Sequence, residues 1–334
     1  MTAMNIARPM IVASLIALLP LLANAGPVEP PQAETKAAPA PAPTVPFFTL
    51  QPLGHNVWAA VAVPGSGAGS NSGFVIGDDG VAIIDSFQKA DAARQLLAEI
   101  HKITPLPVKY VVNTHYHIDH VSGNGVYAEA GATIIAQRNV RDWIHTENLK
   151  FYGVGITPAQ KASVEGLTGP QVAYDGSIDL YLGARRIAVR YFPGHTGGDS
   201  VVLIDDANVI FCGDLFWRHT LPNLIDATTA DWVATLDTLT KAHSGAAFVS
   251  GHGGVGTIDD VNAFRGYLVE LRRLVSEGRT AGKSGDALVE ELTAKLKEKY
   301  GDWSAFDHFV KRNIADTDAE LGGTKKIPHA IAAK

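Results

Sequence analysis

The chain has 334 residues, enough for one large domain or two ordinary ones, and with 46% apolar and 19% charged residues most of it can bury a core. The net charge is −6 and no run of five or more basic residues occurs, which argues against a nucleic acid partner. Its single cysteine, Cys212, excludes an internal disulfide, and the apolar residues around it predict that it is buried.

The first 25 residues have the pattern of a secretory signal peptide. Arg8 precedes an apolar stretch from Met10 to Leu22, and Ala23-Asn24-Ala25 matches the small-residue cleavage motif. The apolar stretch is shorter than the about 20 residues that a membrane-spanning helix needs, so a short membrane anchor is the less favoured alternative. We expect cleavage near Ala25, a periplasmic or secreted protein, and no stable membrane insertion afterwards.

Residues 26–46 are rich in proline and alanine, which predicts an extended linker without a core. From residue 47 on, short apolar runs bounded by turn residues predict strands, and apolar residues spaced three or four apart predict helices. In chain order these are a strand NVWAAVAV, a hairpin GFVIGDDGVAIIDSF, a helix at 91–101, strands VKYVVN and ATIIAQ, a helix at 139–150, hairpins DLYLGARRIAVRYF and SVVLIDDANVIFCGD, a helix at 231–243, a strand AAFVSG, a helix at 258–277 and a polar helical tail. This mixture predicts an α/β fold with sheets packed face to face and helices outside.

Residues 113–120 read NTHYHIDH and follow the apolar run VKYVV. His115 and His117 are two positions apart, so in an extended segment both side chains point the same way and can reach one ion. Asp119 and His120 come next, and a turn after the strand can direct them toward a second ion. Since zinc binds imidazole nitrogen and carboxylate oxygen, the run predicts a metal site, with a solvated surface segment as the alternative.

Three further ligand-type residues follow predicted strands and are flanked by glycine. They are His195 in YFPGHTGGDS, Asp214 in VIFCGDLFW and His252 in FVSGHGG. Glycine permits sharp turns and close backbone approach, and residues at several strand ends can converge at one edge of the sheets. A lone histidine after a strand is more often a core or surface residue, but the recurrence of this pattern favours one shared metal centre.

Other segments are weaker candidates. Trp217, Arg218 and His219 follow Asp214 and are predicted to line the cleft, where Arg218 could bind a substrate carboxylate with two nitrogens; an exposed loop charge is the alternative for Arg218. The glycine- and serine-rich residues 64–73 are predicted to form a mobile loop over the cleft. The remaining histidines have no metal-like context and are predicted to be structural or solvated: His55, His101, His145, His243, His308 and His329.

The motifs HYHIDH, GHTGGD, GDLF and SGHG, in this order, resemble those of the metallo-β-lactamase superfamily over residues 47–275. The resemblance implies a four-layer αββα sandwich with a two-metal cleft at one edge, and residues 276–334 would then be a helical C-terminal extension. The implied ligands are His115, His117 and His195 for the first ion, Asp119, His120 and His252 for the second, and Asp214 as a bridge. Two zinc ions are the implied cofactor, although such ligands also accept iron or manganese.

Departures from individual branches of the superfamily narrow the implied chemistry. Many class B β-lactamases have arginine in place of His120 and cysteine in place of Asp214, and another subclass keeps the histidine but lacks the bridging aspartate. The diiron oxidoreductases have glutamate in place of His117, and the extra motifs of the RNA-processing branch are absent from this sequence. The ligand set is most similar to that of glyoxalase II-like thioesterases, and the stretch GDLFWRHTLPNLIDATTADW is similar to periplasmic members associated with quinoprotein genes.

These features predict an exported binuclear zinc hydrolase that acts on a small-molecule ester, thioester or amide. In the implied mechanism two ions share one water and lower its pKa toward about 7, and the resulting bridging hydroxide attacks the carbonyl carbon. Asp119 is the expected catalytic residue, which orients the hydroxide and moves a proton. The alternatives are a class B β-lactamase, a non-catalytic metal-binding partner of a periplasmic electron-transfer system, and a mononuclear iron dioxygenase.

Overall fold

The computed structural model of the protein describes residues 45–328. The predicted signal peptide (1–25) and the predicted linker as far as residue 44 lie outside these residues. The described strands form two sheets. The seven-stranded sheet has the order β1 (Phe48–Gly54), β2 (Val57–Ala62), β3 (Ser72–Ile76), β4 (Val81–Ile84), β5 (Val108–Asn113), β6 (Thr133–Gln137) and β7 (Val172–Tyr174). The six-stranded sheet has the order β13 (Val255–Gly256), β12 (Ala247–His252), β11 (Val209–Trp217), β10 (Ser200–Ile204), β9 (Arg185–Tyr191) and β8 (Ser177–Leu182).

Helices flank both sheets. The α-helices are α1 (Ala90–Ile103), α2 (Ile118–Val121), α3 (Asn124–Glu129), α4 (Arg138–Trp143), α5 (Pro158–Glu165), α6 (Thr229–Ala242), α7 (Ile258–Thr280), α8 (Gly285–Tyr300) and α9 (Phe306–Leu321). Two 3-10 segments span Glu147–Gly155 and Asp205–Ala207. Among residues 45–328, none of the helices is both long enough and apolar enough to cross a bilayer.

Parallel strand pairs bring the candidate ligands to a common edge. In the first sheet β4 pairs in parallel with β5, and in the second β11 pairs in parallel with β12. Parallel neighbours end at the same edge of a sheet, so the residues that follow β4 and β5 lie close together. For the same reason Trp217, the last residue of β11, pairs with His252, the last residue of β12.

Three buried apolar clusters define four layers. One cluster lies between the sheets and includes Ile84 and Phe211. A second packs α1 and α3 against the first sheet and includes Leu96, while a third packs α6 to α9 against the second sheet and includes Phe264. Helices thus cover the outer face of each sheet, and the predicted αββα sandwich is confirmed. Cys212 is only 1% exposed, within the third cluster, so its predicted burial is also confirmed.

Some elements differ from the sequence-based expectations. The predicted helix at 139–150 is wrong in extent, because α4 ends at Trp143 and a 3-10 segment follows. Within that segment Gly153 has φ 67°, a left-handed value that interrupts a helix and favours glycine. Strands β1 and β7 and helix α5 are not evident from the apolar spacing. Helix α5 begins with a capping box formed by Thr157 and Gln160, a local signal that apolar spacing does not register.

The C-terminal helices belong to the same core as the second sheet. Helix α7 continues to Thr280, so the predicted boundary at residue 275 lies inside a helix. Helices α8 and α9 lie in the segment predicted to be an extension, and their buried residues Leu292 and Val310 join the cluster that contains Phe264. The extension therefore completes the outer helical layer of the second sheet.

Candidate metal centre

The structure brings all seven predicted ligands to one edge of the two sheets. His115 and His117 follow β5, and Asp119 and His120 lie in the short helix α2. The others come from the second sheet: His195 from the loop between β9 and β10, Asp214 from within β11, and His252 from the end of β12.

The seven residues form two groups. His115, His117, His195 and Asp214 offer ligand atoms that all lie within 4.8 Å of one another, and Asp119, His120 and His252 form a second such group. Every member of the first group is buried. Apart from Asp214, which falls in the first group here, the members of each group are those that the resemblance implied for each ion.

Asp214 lies between the two groups and faces both. Its Oδ2 lies 3.3 Å from Nε2 of His195 and 3.7 Å from Nε2 of His115. Its Oδ1 lies 3.0 Å from Nε2 of His120 and 3.3 Å from Nε2 of His252. One oxygen therefore faces each group, as a bridging carboxylate requires.

A bulge aims the Asp214 side chain into the site. The register of β11 against β12 shifts on both sides of Gly213, which has φ 50°. A bulge bends the strand and redirects a side chain, and the left-handed backbone favours glycine. We predicted Asp214 after a strand, and it instead lies inside β11. A Cβ on Gly251 would overlap with Oδ1 of Asp214, so glycine is also needed on the neighbouring strand.

Buried carboxylates outside the two groups orient two of the histidines. Nδ1 of His120 lies 2.8 Å from Oδ2 of Asp85, and Nε2 of His117 lies 3.0 Å from Oδ2 of Asp226. A hydrogen bond to one ring nitrogen fixes the tautomer and leaves the other nitrogen free to bind a metal. Nδ1 of His115 lies 3.1 Å from Oγ1 of Thr114, which leaves its Nε2 directed into the site in the same way.

Asp226 is the centre of a buried polar network. Its carboxylate accepts hydrogen bonds from the Tyr116 hydroxyl and from Nζ of Lys150, each at 2.5 Å, besides the contact with His117. Burial alone would raise the pKa of Asp226, but the hydrogen bond from His117 and the charge of Lys150 outweigh it, so the pKa lies below its usual range. Asp226 is therefore a carboxylate at neutral pH.

Two histidines of the first group are held in the neutral form. Burial is the main cause that lowers the pKa of His115 well below its usual value, and burial likewise lowers the pKa of His195 to about 3. A neutral imidazole keeps a lone pair on one ring nitrogen, and this lone pair is what binds a metal ion. Both side chains are therefore ready to act as ligands without first losing a proton.

Several buried polar atoms in the cluster lack a hydrogen-bond partner among residues 45–328. Four of them face the site: Nε2 of His115, Nε2 of His120, Nε2 of His252 and Oδ1 of Asp214. Nδ1 of His195 also lacks a partner in this described part of the chain, while Nε2 of the same ring faces the site. A buried polar atom without a partner is destabilising, and a cation among these nitrogen and oxygen atoms would remove the penalty for all four. The His/Asp cluster thus fits a metal site, and the donor set suits zinc.

Asp119 is the most accessible of the predicted ligands. Its side chain is 22% exposed, and its Oδ2 lies 3.4 Å from Nε2 of His252. The Ser70 hydroxyl donates to its backbone carbonyl at 2.7 Å, which holds α2 in place. Ser70 and Asn71 are buried, and the Asn71 amide donates to the Ser250 carbonyl at 2.8 Å. The predicted mobile loop over the cleft is therefore wrong in this part, which is packed structure beneath the site.

The metal centre opens into a cleft of about 540 Å³. Trp217 lies in its wall, with its ring stacked on that of His252 at a centroid distance of 3.9 Å. Arg218 is not among the residues that line this cleft, and its Nε instead lies 3.2 Å from Oδ2 of Asp260. His219 does not line it either, and its ring is stacked on that of Trp303. Of the residues predicted to line the cleft after Asp214, the structure places only Trp217 there.

The sequence analysis missed several residues that shape this site. Asp85 ends the run AIID just after β4, the same strand-end pattern that singled out Asp214, so that signal was available. Lys150 lies in the 3-10 segment after α4, and Asp226 lies in the loop after β11, where the stretch GDLFWRHTLPNLIDATTADW does not single it out. His308 lines the cleft from α9, although its sequence context suggested only a structural or solvated residue.

Comparison with known proteins defines the class. A family model described as the metallo-β-lactamase superfamily matches residues 65–252, which is more than half of the chain. The protein belongs to this superfamily, as its motifs predicted. The αββα fold and the clustered His and Asp residues agree with that assignment.

Individual relatives are distant. The chain is 23% identical over 273 residues to the linear primary-alkylsulfatase of a Pseudomonas species, covering 67% of this chain and 51% of that protein, so it spans about half of the alkylsulfatase's length. It is 26% identical over 227 residues to the hydroxyacylglutathione hydrolase of Brucella anthropi, covering 65% of this chain and 78% of that protein. A solved metallo-β-lactamase from Pontibacter korlensis aligns with a TM-score of 0.55 and 21% identity, covering 66% of this chain and 98% of that one, which is a similarity of fold.

Proposed function

We propose that this protein is an exported, binuclear zinc hydrolase that cleaves an ester, thioester or amide of a small molecule. The observation that carries the proposal is the position of Asp214, whose two oxygens face separate ligand groups. A carboxylate in that position serves two cations at once, whereas a site for one ion needs only one of the groups. Hydroxyacylglutathione hydrolase, one of the relatives, is by name a thioester hydrolase, which supports the choice of bond.

Two bound zinc ions would supply a Lewis acid for the substrate oxygen and a water of lowered pKa. The protein contributes position and proton transfer. Asp119 carries the exposed carboxylate of the second group and lies beside His252, so it is placed to orient the water and take up its proton. The buried His115 and His195, whose pKa values are lowered by burial, stay neutral and serve as ligands only.

The two buried carboxylates that orient the histidines are already paired with protein groups. Asp226 is paired with Lys150, and Asp85 with Thr114 and His120, so neither carboxylate is free to compete for the cations. Asp119 and Asp214 therefore carry the negative charge that the cations meet directly. We propose export on the sequence pattern of residues 1–25, and a small-molecule substrate on the size of the cleft.

Elemental analysis and a hydrolysis screen test this proposal together. The full chain, purified without added metal, is expected to carry about two zinc ions. It should hydrolyse an activated ester or a hydroxyacyl thioester of glutathione, and a chelator should abolish the activity. His195→Ala is expected to remove activity, whereas His101→Ala, on the exposed side of α1, should not.

Other results would redirect or overturn the proposal. Turnover of nitrocefin alone would identify a β-lactamase. Turnover of an alkyl sulfate alone would identify an enzyme that hydrolyses sulfate esters and not carboxylic esters, thioesters or amides. Protein that binds no metal, or that binds metal and hydrolyses none of these compounds, contradicts a hydrolase.

A further inference from the structure

The C-terminal helix α9 forms the wall of the cleft that faces the metal ligands. Residues Ala305, His308, Phe309 and Arg312 line it. Residues three or four apart in a helix lie on the same face, so one side of α9 is turned toward the centre. This wall is made from a part of the chain that the superfamily motifs do not include.

Aromatic rings form part of the cleft lining. Phe309 packs edge to face with Trp217 at a centroid distance of 6.0 Å, and Phe151 lies 5.0 Å from the ring of His117. Phe151 is 37% exposed and lines the cleft, as do Trp217 and Phe309. Apolar side chains at the rim and walls of a cleft favour a ligand whose body is apolar.

The end of the α9 wall at Arg312 is cationic. Arg312 is the one lysine or arginine among the described residues that line the cleft. Its Nε lies 3.5 Å from Oδ2 of Asp316, which is long for a hydrogen bond, and half of its side chain is exposed. His308 lines the same end, and its ring packs against Phe309 at 4.5 Å. A guanidinium with weak internal pairing is suited to bind a carboxylate or sulfonate.

The position of this end is fixed relative to the ligands. The Asn313 amide donates to the Pro222 carbonyl at 2.9 Å, and the Leu221 amide donates to the Ser304 carbonyl at 2.9 Å. These bonds tie α9, and Ser304 just before it, to the loop that leads from β11 to Asp226. The spacing between the metal centre and Arg312 is therefore set by the fold, and it limits the length of a ligand that can reach both.

We propose that the substrate is amphiphilic, with its scissile ester or thioester at the metal ligands, an apolar acyl or aryl body between Phe151, Trp217 and Phe309, and an anionic group at Arg312. The proposal rests on the hydrolase function given above and names the substrate class of the same site. Arg312 is a specificity residue in this arrangement, since it contacts the distal end of the substrate and not the reacting bond.

A pair of matched esters tests the role of Arg312. The 4-nitrophenyl ester of butyrate is neutral, and the 4-nitrophenyl hemiester of glutarate carries a terminal carboxylate. For Arg312→Gln we expect kcat/KM to fall by roughly tenfold or more on the glutarate ester, the effect of losing a charge-assisted hydrogen bond, with a change of less than about twofold on the butyrate ester. Arg94→Gln, an exposed arginine on α1, is the matched control and should change neither. An equal loss on both esters, or no loss on either, would overturn the assignment.

Binding measurements separate this proposal from the hydrolase proposal. Calorimetry with 4-phenylbutyrate, 4-phenylbutanesulfonate and neutral 4-phenylbutyramide needs no turnover. We expect the two anions to bind more tightly than the amide to the metal-loaded protein, and Arg312→Gln to remove that preference; the stronger of the two anions identifies the group preferred. A preference that Arg312→Gln leaves intact places the anion elsewhere and refutes the subsite. If neither ester is hydrolysed while Arg312-dependent binding is seen, the hydrolase fails and the subsite stands.

Discussion

Nε2 of His117 lies 3.0 Å from the carboxylate of Asp226, a residue 109 positions further along the chain. Because that nitrogen is occupied, Nδ1 of His117 is the one that faces the site, 2.9 Å from Nε2 of His195. His115 and His120 are tied by Nδ1 and present Nε2 instead. The partner of each ring therefore determines which nitrogen is offered to the metal.

Replacing Asp226 should weaken metal binding without removing a ligand. Asp226→Asn removes the negative charge beside Nε2 of His117 and leaves Lys150 with Glu147 as its one carboxylate partner among the described residues. We expect zinc affinity to fall by roughly 10- to 100-fold, the usual effect of losing such a partner. Competition with a chromophoric chelator at equilibrium measures it. Asp179→Asn, at an exposed arginine pair on β8, is the control, and equal affinities in the two variants would refute the role of Asp226.

A single methyl group on β12 should disable the centre. In Gly251→Ala the new Cβ would overlap with Oδ1 of Asp214 and lie close to the Gly213 backbone, so Asp214 must shift. We expect metal content to fall while the fold is retained. Gly266→Ala, on the open side of α7, makes the same substitution where no heavy atom lies within 4 Å, and should keep full metal content. Metal analysis alongside circular dichroism distinguishes the two, and a Gly251→Ala protein with normal metal content would contradict the geometry.

Metal stoichiometry should depend on which group is altered. His252→Ala removes a ligand from the second group only, so we expect the metal content to fall from about two ions to about one. Asp214→Ala removes an oxygen from each group, so we expect it to lower the content below that of His252→Ala. The ions are counted by mass spectrometry after exhaustive dialysis. Should both variants keep the stoichiometry of the native protein, the two groups would not be two sites.

The C-terminal helices should be indispensable for stability. Leu292 of α8 is 2% exposed and belongs to the cluster shared with α6 and α7. Leu292→Ala is expected to cost about 2–5 kcal/mol, the range for a large-to-small change in a core. Urea unfolding measures it, with the exposed Glu298→Ala on the same helix as the control. If Leu292→Ala lowered the free energy of unfolding no more than the control, residues 276–334 would be a separable extension, as the sequence analysis predicted.

The sequence was informative wherever a short run of residues is enough to determine a strand or a group of ligands. Alternating apolar runs located most strands. The run HYHIDH located four of the residues that cluster at the edge, and the glycine-flanked pattern located the other three. The motif HYHIDH succeeded because its members are neighbours in the chain, so their convergence needs only one turn after β5.

Residues whose role depends on distant contacts were not accessible in this way. Asp226 is an ordinary aspartate in an irregular loop until folding places it against His117 and Lys150. The polar segment with Ser70 and Asn71 has the composition of an exposed loop, but its amides and hydroxyls find buried partners on β12 and α2. Arg218 was predicted to line the cleft because it follows Asp214 closely in the sequence. Only the fold shows that its guanidinium pairs with Asp260 instead.

The hydrogen bonds between α9 and the loop that follows β11 also have a consequence for when the metal site is completed during synthesis. A nascent chain leaves the ribosome from its amino end, so the histidines after β5 emerge long before Asn313 can fasten the loop that carries Asp226. A cation bound before then would have histidine ligands that Asp226 does not yet orient. We therefore expect tight metal uptake to follow completion of the chain. If the protein is exported, as we propose, the compartment that receives it would then determine which ion is bound.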